Sequence, residues 1–150
     1  MPRRAVNTPV GTLTIFEENG AITKVSWENS PSDDTPVLRR AEAQLTAYFN
    51  GTLTRFTLPL DVQAPALQRA ACDAMLEIPY GETRTYGDLA KSLNRPAQAI
   101  GQACGGNPIP IIIPCHRILG ANSLGGFSGG TGIETKVALL KHEGAASLLI

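Results

Sequence analysis

Cys115 stands in the segment Pro114-Cys115-His116-Arg117, behind Ile111-Ile112-Ile113 and a preceding Asn107-Pro108-Ile109-Pro110. A thiol followed directly by a histidine has a base one residue away, and only the thiolate is a strong nucleophile. The prolines and the isoleucine run predict a stiff, buried segment, which suits a reacting group that must be held in one place. Geometry adds a condition. In an extended chain adjacent side chains point to opposite faces, so either the backbone bends at Cys115 or His116 acts through a water. Glu143 is the next residue with chemistry. It follows Leu139 by four and Leu140 by three, which places it on the apolar face of a helix and near the C-terminus, where the helix dipole disfavours an anion. A carboxylate there needs a cation or hydrogen-bond donors. The alternative is a surface glutamate paired with Lys136 or Lys141.

Composition narrows the setting for this chemistry. Hydrophobic residues at 43% and charged residues at 17% of 150 describe a globular chain with a real core. No apolar run is long enough to span a bilayer, and Met1-Pro2-Arg3-Arg4 is not followed by the apolar core of a signal peptide, so a cytoplasmic protein is expected. Three scattered cysteines and two histidines supply neither a disulfide framework nor a closed zinc site, and no metal is expected. The glycine clusters match neither the dinucleotide fingerprint nor the phosphate-binding loop, so no cofactor is expected. Thirteen basic residues balance thirteen acidic ones. Dedicated nucleic-acid binders are usually basic, so any such contact must be local and helped by backbone N–H groups.

The elements that must position these groups divide in character near residue 62. Residues 10–17 and 21–27 are rich in β-branched and aromatic residues around Asn19-Gly20, which predicts an antiparallel hairpin. Helical spacing runs from Val37 to Phe49 through Leu38, Ala41, Leu45 and Tyr48 and stops at Asn50-Gly51. Residues 56–62 read as one more strand, and Trp27 as core. From Ala64 the chain turns helical. Leu67, Ala71, Ala74, Met75 and Ile78 form one stripe, with Cys72 beside it as a small buried hydrophobe. Thr85 can cap a helix over residues 86–93, with Asp88 in its first turn. Asn94-Arg95 makes a turn, Pro96 suits the first position of a second helix, and Gly105-Gly106 ends it. Two short helices so joined resemble a helix-turn-helix. Its small residues (Ala97, Ala99, Gly101, Ala103) permit close approach of a phosphate chain or of another helix. His142 is offset from Glu143 by about 100° around the helix and reads as surface.

NPIPIIIPCHR resembles the active-site signature of the O6-alkylguanine-DNA alkyltransferases, the methylated-DNA–protein-cysteine methyltransferases. The likeness extends upstream through IPYGETRTYGDLA (residues 78–90) and downstream through GGFSGG (125–130) and LLKHEG (139–144). It implies an α+β chain. Residues 1–62 form a small strand-rich α/β scaffold of hairpin plus helix, and residues 63–150 a mainly helical domain carrying the helix-turn-helix and the cysteine. The implied reaction is one irreversible transfer of an alkyl group from O6 of guanine, and also from O4 of alkylthymine, in duplex DNA to Cys115 after base flipping, by a monomer. On that resemblance Glu143 orients His116, which removes the Cys115 proton through water, and Tyr86 donates a hydrogen bond to O6. Asn107 ties the turn before the cysteine segment. Pro110, Gly126, Phe127, Ser128 and Gly129 wall the guanine pocket, while Thr85, Arg95, Ala97 and Gln98 meet DNA. Arg117 reads as a structural ion-pair partner. Two positions depart from the pattern: Gln98 stands where many members carry arginine, and Phe127 where others carry tyrosine. Two other function classes fit parts of the sequence. A cysteine hydrolase would turn over repeatedly. A non-catalytic damage-recognition module, like the alkyltransferase-like proteins, would lack the cysteine that is present here.

Overall fold

A computed structural model describes residues 1–146. An antiparallel sheet in the order β1 (Arg3–Thr8), β2 (Gly11–Glu18), β3 (Ala21–Ser26) forms the N-terminal part. Asn19 and Gly20 take φ of 53° and 83° in the β2–β3 turn, the positive values that a two-residue hairpin needs. Helix α1 (Pro36–Phe49) is capped by Thr35, whose hydroxyl accepts from the Leu38 N–H, and has Pro36 in its first turn. Its buried stripe is Leu38, Ala41, Leu45 and Tyr48, and it lies on the sheet face that carries Val6, Leu13, Ile15, Ile22 and Val25.

Two expectations for this half need correction. Strand β1 was not predicted: Arg-Arg-Ala-Val-Asn-Thr buries only Val6, so it lacks the apolar alternation of a central strand and forms through its pairing along β2. Residues 56–62 do not form a strand. Only Leu60 bridges to Ile22, with hydrogen bonds from Ile22 N to Pro59 O and from Asp61 N to Ile22 O. Pro59 has no N–H with which to continue a ladder.

The remaining elements are α2 (Ala66–Leu76), the short β4 (Arg84–Thr85), α3 (Tyr86–Leu93), α4 (Ala97–Gly105), a 3-10 turn (Cys115–Arg117), β5 (Ile118–Leu119) and α5 (Ile133–Glu143). Thr85 and Asp88 complete a capping box at the start of α3. Asn94 ends α3 in the left-handed conformation, φ 53°, and so sets the turn into α4. Pro96 is the residue before α4 rather than its first helical residue; its extended backbone, φ −61° and ψ 144°, keeps it outside the helix. Within α4, Ala103 is buried, Ala99 and Gly101 are half-buried and Ala97 is exposed; Ala103 serves packing where α4 meets α2 and α3, while a side chain at Gly101 would meet open space. One apolar core joins both halves of the chain, from Val6 and Leu45 through Met75 and Ile100 to Ile113 and Leu139.

Candidate active site

The backbone bends where the sequence demands it. Cys115 N donates to Ile113 O at 2.8 Å and Arg117 N to Pro114 O at 3.0 Å, so Cys115, His116 and Arg117 leave one tight turn in different directions. Ahead of it, Ile111 sits at φ 72°, a rare conformation for a β-branched residue that costs about 1–3 kcal/mol. Asn107 holds this loop. Its Nδ2 donates to Ile113 O at 2.9 Å, and its Oδ1 accepts from Ile109 N at 3.0 Å. Pro110 is buried in the same loop. Past the turn, β5 pairs in parallel with β4. That pairing brings the start of α3, and with it Tyr86, to the cysteine side of the molecule.

Glu143 lies at the centre of the buried polar groups. Oε2 accepts from Tyr48 Oη at 2.6 Å, from His116 Nε2 at 2.8 Å and from Arg117 Nη2 at 2.9 Å. Oε1 accepts from Arg117 Nε at 2.8 Å and Gly81 N at 3.4 Å. Arg117 completes its own bonding with Ile78 O at 2.6 Å. Burial alone would raise the Glu143 pKa, but the hydrogen bonds from His116, Arg117 and Tyr48 hold it well below the usual carboxylate range. An ionised carboxylate only accepts, so His116 carries its proton on Nε2. Its Nδ1 is buried and meets no protein donor or acceptor among the described residues, which leaves that lone pair free to take a proton. Burial lowers the His116 pKa despite Glu143, and burial raises that of Cys115 despite a hydrogen bond from Asn107 and the charge of Lys136. The resting pair is therefore a thiol and a neutral imidazole, two partners between which a proton can move during reaction.

Residues 125–130 form a loop over this cluster. A side chain at Gly125, φ 71°, would stand 2.9 Å from Tyr86 Cε2 and 3.1 Å from its hydroxyl, so glycine is what allows the loop to lie on Tyr86. Phe127 meets Trp27 edge-on at 6.1 Å, and a Cβ on Gly129 would overlap Trp27. Gly126 is exposed, and the exposed Ser128 ties the loop to α4 by donating to Gly105 O at 3.1 Å. Trp27 is thus half-buried and supports the loop. Arg95, Ala97 and Gln98 are exposed on the turn and first residues of α4. The Thr85 hydroxyl caps α3, accepting from Asp88 N at 3.0 Å.

Three residues play a larger part than the sequence reading gave them. Lys136 is fully buried, with Nζ donating to Ile118 O at 2.6 Å and Gly126 O at 3.1 Å and no carboxylate partner among the described residues. It therefore joins the strand after the cysteine to the glycine loop. Burial lowers its pKa to about 8, while the neighbouring Cys115 and Cys104 act in the opposite sense. A signal existed: Lys136 shares the spacing of Leu139, Leu140 and Glu143 and so belongs to the same buried stripe. Tyr48 read only as core. Its hydroxyl needed a partner, but nothing in sequence pointed to a carboxylate ninety-five positions away. His142, read as surface, is half-buried; its Nε2 donates to Tyr48 O at 2.7 Å and its ring packs on Tyr48 and Phe49.

Comparison with known proteins places the chain in a family. Residues 66–145 match the family described as 6-O-methylguanine DNA methyltransferase, DNA binding domain, and residues 2–62 match its ribonuclease-like domain. The methylated-DNA–protein-cysteine methyltransferase of Mycobacterium tuberculosis strain H37Rv is 41% identical, over 93% of this chain and 90% of its own. The constitutive enzyme of that name from Bacillus subtilis is 39% identical, over 91% of each. A crystal structure of the Mycobacterium tuberculosis OGT protein in complex with DNA superposes with a TM-score of 0.87 at 40% identity, covering 99% of this chain and 98% of that one. With a cysteine, a histidine and a buried carboxylate at its centre and both halves matched, this chain belongs to the 6-O-methylguanine DNA methyltransferase family.

Proposed function

We propose that this protein repairs DNA by moving an alkyl group from O6 of a guanine, or O4 of a thymine, in duplex DNA onto Sγ of Cys115. The single observation that carries the mechanism is the buried relay from Glu143 Oε2 to His116 Nε2, with His116 Nδ1 left free. In the reaction the Cys115 proton passes to His116 Nδ1 through water. The S–C bond forms as the C–O6 bond breaks, and the guanine takes up a proton and leaves as the neutral base. Tyr86 donates a hydrogen bond to the departing oxygen. Pro110, Gly126, Phe127, Ser128 and Gly129 enclose the flipped base, and Asn107 holds the loop that carries the thiol. Thr85, Arg95, Ala97 and Gln98 present the edge that meets the duplex. Extruding the base brings O6 within reach of a group that cannot enter the stack. The thioether formed is stable, so each molecule reacts once.

Residues 1–62 act as scaffold and residues 63–150 as the reacting domain, and the protein works in the cytoplasm. Among the described residues no helix is long and apolar enough to cross a membrane. Mass spectrometry after mixing with an O6-methylguanine duplex tests the reading. One added methyl on Cys115, absent in Cys115→Ala, is the expected result. Transfer to Cys72 or Cys104 in that variant, or repeated turnover of an ester or amide, would overturn it.

A further inference from the structure

The N-terminal helix reaches into the relay. Tyr48, on the last turn of α1, is fully buried and donates to Glu143 Oε2, the same oxygen that receives His116. On the other side of the same contact, the Tyr48 carbonyl accepts from His142, so the end of α1 grips the end of α5 on both sides of Glu143. Tyr48 is not needed to hold the carboxylate in place. Arg117 already binds both oxygens in a fork, at 2.8 and 2.9 Å, which fixes the plane of the carboxylate.

What Tyr48 changes is the charge left for His116. A carboxylate offers about four lone-pair positions, and here five donors meet it: Tyr48, His116, two from Arg117, and Gly81 N. Donors on one oxygen compete, and each takes negative charge from the others. We propose that Tyr48 is a positioning residue of the Cys115 relay, whose hydroxyl weakens the hold of Glu143 on His116 and so sets how far the pH can fall before His116 stops accepting the thiol proton. The groups that face His116 fit this role. Glu143 and Lys136 from α5 and Arg117 from its own turn act on the His116 charge, Tyr48 from α1 and Tyr80 ahead of β4 act on Glu143, and Cys72 from α2 and Cys104 from α4 lie within electrostatic reach of Cys115. Burial and the charge of Glu143 hold the Tyr48 hydroxyl protonated far above neutral pH, so it remains a donor wherever the protein works.

This inference rests on the alkyl-transfer reading, and its test keeps the two apart. Single-turnover rates of full-length protein with an O6-methylguanine duplex are measured across pH for wild type and Tyr48→Phe, with thermal melts alongside. Without the phenol, Glu143 pulls harder on the imidazolium. The acid limb of the rate profile should therefore move to higher pH while the alkaline plateau changes little. A limb that stays in place or moves to lower pH overturns the proposal, whatever the melting temperature does, and leaves Tyr48 a packing residue. Should Tyr48→Phe fail to fold, 3-fluorotyrosine at position 48 decides instead. As a stronger donor it should move the limb to lower pH, and an unmoved limb refutes the idea. Absence of any methyl gain in wild type would instead sink the reaction assignment itself.

Discussion

Replacing Lys136 by methionine removes a buried ammonium while keeping a stem of similar length. In the folded protein its pKa falls from 10.5 to about 8. At 1.36 kcal/mol per unit, keeping Lys136 charged therefore costs the fold about 3 kcal/mol at neutral pH. The sign follows from proton counting. Between pH 8 and 10.5 the unfolded chain holds a proton that the folded chain has lost, so wild-type stability gains from this group as pH rises through that window. Methionine has no such dependence, but it deprives the Ile118 and Gly126 carbonyls of their donor, a loss of about 0.5–1.5 kcal/mol for each ordinary hydrogen bond. At pH 7 the variant should thus be as stable as wild type or slightly more so; near pH 10.5 it should be less stable by about 1–3 kcal/mol. Burial raises the pKa of Cys72 to about 11 and of Cys104 to about 12, and these titrations largely cancel because both proteins share them. Urea denaturation of the pair at intervals from pH 7 to 10.5 measures the difference. A difference in stability that is flat across this range would show that Lys136 is not a cation strained by burial. The variant should also react more slowly, since a buried ammonium whose charge favours the Cys115 thiolate is gone.

Glu143→Gln should cost about 3–5 kcal/mol, because it leaves Arg117 buried without a counter-charge. It should also slow alkyl transfer and raise the apparent pKa of Cys115, and an unchanged pH–rate profile would remove Glu143 from the mechanism. Wild type should lose the Glu143 contribution as pH falls below the ordinary carboxylate range toward its depressed folded value, a loss that acid titration of the variant should lack. Gln98→Arg places a cation on the exposed start of α4 and should tighten duplex binding, with a salt slope steeper by up to about one unit; an unaltered slope means position 98 does not face DNA. Methylated protein should melt several degrees below free protein and benzylated protein lower still. Adding a methylene-sized group to a packed site costs about 1–3 kcal/mol, at about 2–4 °C per kcal/mol for this size, so equal melting temperatures would indicate a compliant pocket.

Most of what locates the chemistry was legible because it is local. The stripe of α1, the capping box at Thr85 and the turn at Asn94 follow from short-range spacing, and the Cys115-His116 pair with the buried face of Glu143 follows from adjacent residues and one helical turn. Long-range pairing was not legible. β1 exists because β2 offers it an edge, and the short β4–β5 ladder depends on a contact across more than thirty residues. Tyr48 and Lys136 were missed for a related reason: each has a polar end whose partner lies on a distant segment. The sequence does show that such a residue sits on an apolar stripe, and both do. It does not show where the stripe leads.

The hydrogen bond from Ser128 to the last carbonyl of α4 ties the glycine loop to the helix that, on the proposed reading, meets the duplex. On that reading, a wall anchored in this way would widen only by straining or breaking its tie to α4. An adduct too broad for the space beside residues 125–130 would then load the end of α4 as well, and through it the contact with DNA. Tolerance for lesion size and firmness of grip on the helix would then be one property of the molecule, set at both ends of one hydroxyl contact.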